Sequence, residues 1–164
     1  MTASITDAEC NYIIIYIMRN LKIDELFVGA WVRKDIVASA PVMVCGLRDD
    51  GKVSISGGED VALLDVCPVQ IDEISLRGFG FEKVRGNDVY MKSIGDIRMT
   101  VSLRWKHGIQ ECKRVALTGR VSCWNEEIRY MHELQRWWTD RVLLPYDTPL
   151  ILKWVGVMPE KEEL

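Results

Sequence analysis

Residues 97 to 106 read IRMTVSLRWK, and no other stretch restricts the fold as tightly. Ile97, Met99, Val101, Leu103 and Trp105 alternate with Arg98, Thr100, Ser102, Arg104 and Lys106. Successive side chains of an extended strand point to opposite faces, so this period of two calls for a sheet with one face towards a core and the other towards water. The first set is expected in the core. His107-Gly108 fits a two-residue turn, which would place Arg104 opposite Glu111 and Leu103 opposite Cys112. Charge would then meet charge, and apolar meet apolar, across a hairpin.

Shorter β segments precede it. Residues 30 to 33, 41 to 47 and 52 to 56 are candidate strands, with Asp50-Gly51 as the tight turn between the last two. Gly57-Gly58 interrupts the pattern before the apolar run 61 to 66; residues 89 to 92, 119 to 124 and 150 to 155 are further candidates. These segments predict small antiparallel sheet regions, strongly bent, with an SH3-like barrel as the closed form open to them. Residues 71 to 81, IDEISLRGFGF, predict a short helix. Asp72 serves as the N-cap, Glu73 suits the positive helix start, and Gly78 or Gly80 supplies a left-handed exit. The G-x-G here follows the helix instead of opening one, so it cannot cradle a dinucleotide, and no cofactor is expected.

A chain of 164 residues, 48% apolar and 27% charged, suffices for one ordered domain. The expected division is an N-terminal helical extension over 1 to 20, a single α+β domain over 21 to 158 and an acidic tail over 159 to 164. Thr6 and Glu9 fit a capping box ahead of YIIIYIM, residues 12 to 18. A helix there is apolar on nearly every side and needs burial against the domain or another chain, which makes this segment a candidate for homo-oligomerisation. A strand, and an internal start at Met18, are the alternatives. The run is too short to span a bilayer and lacks the basic flank and cleavage site of a secretory signal, so a cytoplasmic protein without membrane contact is expected. Cys10, Cys45, Cys67, Cys112 and Cys123 form no C-x-x-C pair and read as reduced, mostly buried thiols.

The segment IRYMHELQRWW, residues 128 to 138, poses the sharpest chemical question. A zinc-protease helix needs H-E-x-x-H, because histidines four apart stand one turn apart on one face, with the glutamate beside them as general base. Here Arg136 occupies the place of the second histidine, and no metal site is expected. The pattern instead predicts a main C-terminal helix from an Asn125 N-cap to about Val142, stopped by Pro145. At about 100° per residue, Ile128, Met131, Leu134, Trp138 and Val142 share one arc and Arg129, Glu133, Arg136 and Asp140 the opposite one, with His132 at the border, half buried. Tyr130 and Trp137 flank the apolar arc, either widening the core contact or forming an aromatic patch for a partner.

Other chemistries find less support. No G-x-S-x-G elbow or phosphate loop is present. A cysteine enzyme would have to pair Cys112 or Cys123 with one of two histidines. With a net charge of −3 the chain as a whole does not attract phosphate backbones, although Arg98, Arg104, Lys106, Lys113, Arg114 and Arg120 could make a local basic sheet face.

Three segments together resemble a family of small uncharacterised proteins of Bacteroides-type bacteria and their prophages and conjugative elements. LKIDELFVGAWV, residues 21 to 32, is similar to the family's Gly-x-Trp-Val opening. CPVQIDEISLRGFGFEKV, residues 67 to 84, resembles its short helix leading into Gly-Phe, and IRYMHELQRWW its Tyr-x-His-x-Leu-Gln signature. Arg136 stands where the family has asparagine, TDRVLLPYDTP replaces a short Thr-Gly turn, and residues 1 to 20 have no counterpart. The resemblance implies a bacterial or mobile-element origin and marks His132, Leu134 and Gln135 as signature positions, without bringing an activity. The resulting expectation is an α+β, non-catalytic module that binds an unidentified protein partner through Tyr130, His132, Gln135 and Trp137. A small-barrel nucleic-acid binder is the alternative, and a cysteine-dependent enzyme ranks behind both.

Overall fold

Short turns dictate the first sheet. Its strands are β1 (Trp31–Arg33), β2 (Val42–Leu47), β3 (Lys52–Ile55), β4 (Glu59–Ala62) and β5 (Cys67–Pro68), in the order β4-β3-β2-β1-β5. The computed structural model describes residues 21–34, 40–84, 86–118, 128–143 and 148–156. Gly51, Gly57 and Gly58 all adopt positive φ, so the turns flanking β3 form where the sequence places them. Lys52 N–H also donates to Asp50 Oδ1 at 3.1 Å. Val32 pairs with Val42 on one side and with Pro68 on the other; Pro68, lacking an N–H, is tolerated because β5 is an edge. The register between β2 and β3 shifts between Val44 and Gly46, which turns Cys45 outward. Leu21, Leu26, Ala30, Val32, Val44, Val53, Ile55, Val61 and Val66 form the core behind this sheet.

The second sheet comprises β6 (Glu82–Lys83), β7 (Val89–Ile94), β8 (Ile97–Lys106) and β9 (Ile109–Thr118), in chain order. His107 (φ 51°) and Gly108 (φ 76°) make the expected two-residue turn, and Arg104 Nε meets Glu111 Oε1 at 2.8 Å across it. Met99, Val101 and Leu103 are buried as the alternation requires. Trp105 is not: it is 65% exposed, against the expectation that it faces the core. β7 covers β8 from Ile97 to Ser102 and no further, so the last turn of the hairpin outruns the strand that would have buried it.

Ahead of this sheet lies helix α1 (Glu73–Gly78). Asp72 caps it as expected: its Oδ1 accepts from Ser75 N–H at 2.8 Å, and Ser75 Oγ accepts from Asp72 N–H at 3.0 Å. Gln110 Oε1 takes the Glu73 N–H, another free donor of the helix start, at 3.0 Å. Gly80, with φ +86°, is the left-handed exit.

Several expectations are corrected. The described sheets are both open, so no SH3-like barrel forms. The run 61 to 66 ends as a 3-10 turn, Leu63–Asp65, after β4. Residues 150 to 155 are irregular instead of a strand, and they are held to α1 by Val155 N–H donating to the Gly78 carbonyl at 2.8 Å. The regular part of the C-terminal helix, α2, is Met131–Trp137, and a π-helical stretch, Trp138–Leu143, continues it. Ile128 and Arg129 are not helical, because the Tyr130 backbone is committed to an antiparallel bridge with Gln70. The extension over 1 to 20, the strand over 119 to 124, the Asn125 cap, the Pro145 stop and the tail over 159 to 164 lie outside the described residues.

Two compact units, whose segments interleave along the chain, make up the structure. The first takes the chain to Gln70 with Trp105–Ile109 and Tyr130–Gln135; the second takes Ile71–Arg104, Gln110–Arg129 and the chain from Arg136. The fold is therefore α+β, dominated by antiparallel sheet with little helix.

Candidate functional site

The segment 130 to 137 answers the question its sequence posed. Tyr130 N–H donates to Glu133 Oε1 at 3.1 Å, so the glutamate that a zinc-protease motif would use as base closes the helix start instead. His132 is 2% exposed and stacks on the Tyr130 ring, with centroids 5.8 Å apart and planes 9° from parallel. Complete burial, instead of the half-burial expected, follows from that stack and from Met131 N–H being tied to the Val69 carbonyl at 2.8 Å, which fixes the helix start against β5's continuation. Arg136 is exposed, as the helical arc predicts. Among the described residues no group of three His, Cys, Asp or Glu could hold a metal ion.

Gln135 does what its sequence position could not announce. Its Oε1 accepts from Trp31 N–H at 3.0 Å, and its Nε2 donates to the Gly29 carbonyl at 2.8 Å. The primary amide carries one acceptor and donors on the same plane, so it pairs with both backbone groups as a neighbouring strand would. Gly29, with φ +98°, turns the chain so that its carbonyl is available while its own N–H reaches Val44. Two distant segments of the sequence, Gly29–Val32 and Tyr130–Gln135, are thus joined by this amide.

Of the four residues expected to contact a partner, Tyr130 (1% exposed), His132 and Gln135 (9%) are buried and engaged within the first unit. Trp137 keeps partial exposure and lies edge-on to Trp138, centroids 6.5 Å apart. Trp138 is buried with its indole Nε1–H donating to the Thr148 carbonyl at 2.7 Å. Sequence reasoning placed Trp105 in the core and so missed it as a surface residue; the neighbouring candidate strand, 89 to 92, was already shorter than 97 to 106.

The cysteines divide by environment. The thiols were expected to be mostly buried; among the described ones Cys112 is buried, Cys67 partly buried, and Cys45 exposed at the register shift in β2. Burial pushes the Cys112 thiol up to about 12, with the adjacent Glu111 acting the same way. That is the opposite of nucleophile activation, which needs a stabilised thiolate. Cys123 lies outside the described residues. No described helix is long and apolar enough to cross a membrane.

No protein-family model matches this chain, and no curated protein or solved structure matches it either.

Proposed function

We propose that this chain is a non-catalytic protein-interaction or accessory module, acting in the cytoplasm and encoded on a bacterial chromosome or mobile element, as its family resemblance implies. Trp105 is the observation that carries the reading. Tryptophan offers a large rigid apolar area and is enriched among the residues that dominate binding energy, yet here it stands 65% exposed beside a tight turn. Trp137, partly exposed, is the one sequence-expected contact residue that retains accessible surface. Enzymatic readings have less support, since Glu133 is occupied as a helix cap and Cys112 is held as a neutral thiol.

The test is affinity capture of the tagged protein from host lysate with nuclease present, read by mass spectrometry for wild type, Trp105→Ala and Trp137→Ala. A stoichiometric protein partner that Trp105→Ala loses is the expected result. An unchanged set of captured proteins in Trp105→Ala, or no retained protein in the wild type, would overturn the reading.

A further inference from the structure

We draw no further inference here: the strongest candidate, the exposed apolar patch that Ile74 on α1 and Val155 make beside Trp154 and Gly78 in the second unit, carries none because nothing in the structure shows what covers it.

Discussion

The two units complete their cores with opposite chemistry. In the first, strands as short as the two residues of β5 and the three of β1 leave backbone groups to be satisfied from elsewhere, and Gln135 supplies a donor and an acceptor to Gly29 and Trp31. In the second, β8 up to Arg104 and β9 from Gln110 run side by side in the sheet, and what comes from afar is a ring: Trp154 lies over Gly78, edge-on to Phe79 with centroids 5.1 Å apart. A polar latch is sensitive to which atoms it offers and indifferent to small volume changes. An apolar plug has the reverse sensitivities.

The strongest way to break this contrast is Gly78→Ala. A Cβ there would fall within the Trp154 ring, and overpacking of that kind costs about 3 kcal/mol. Urea unfolding should show the loss, and adding Trp154→Ala should return part of it; strict additivity of the two changes would mean that Gly78 is not shaped by the ring. Next in size is Gln135→Leu, which keeps the volume but leaves Trp31 N–H and the Gly29 carbonyl unpaired, at about 2 kcal/mol. Amide exchange at Trp31 should accelerate; if it stays slow, the latch does not hold the first unit together.

Solution pH separates the units more gently. The folded Cys112 thiol titrates at about 12 against an ordinary 9.0, so above pH 9 the unfolded chain releases a proton that the folded chain keeps. Stability of the second unit should therefore fall as pH rises from 9 towards 12, by about 1.4 kcal/mol per pH unit. Cys112→Ala should remove that slope, while buried Tyr90, also pushed up to about 12, adds its own from its ordinary 10.0. In the first unit the Ser54 hydroxyl donates to Asp60 at 2.7 Å and, with Arg48 and Lys52, holds that carboxyl below its ordinary 3.8. Its contribution is present above pH 3.8 and is lost as pH falls through the lower folded value. Denaturation followed across pH in wild type and Ser54→Ala checks the sign.

Residues 97 to 106 with their turn, the Asp50-Gly51 hairpin and the Asp72 cap were determined by the sequence alone. Each depends on side-chain alternation, a positive φ or a hydrogen bond spanning three residues, and such local causes are visible within a short window. What tertiary structure decided lies outside any window. Gln135 meets partners 104 and 106 positions away, and Gly78 is sized for a ring 76 residues later. The burial of Trp105 failed because β7 stops at the level of Ser102. The start of α2 moved because Gln70 claims the Tyr130 backbone. A residue's chemistry and period fix which face it belongs to, but whether that face is covered, and by what, depends on where distant chain happens to end.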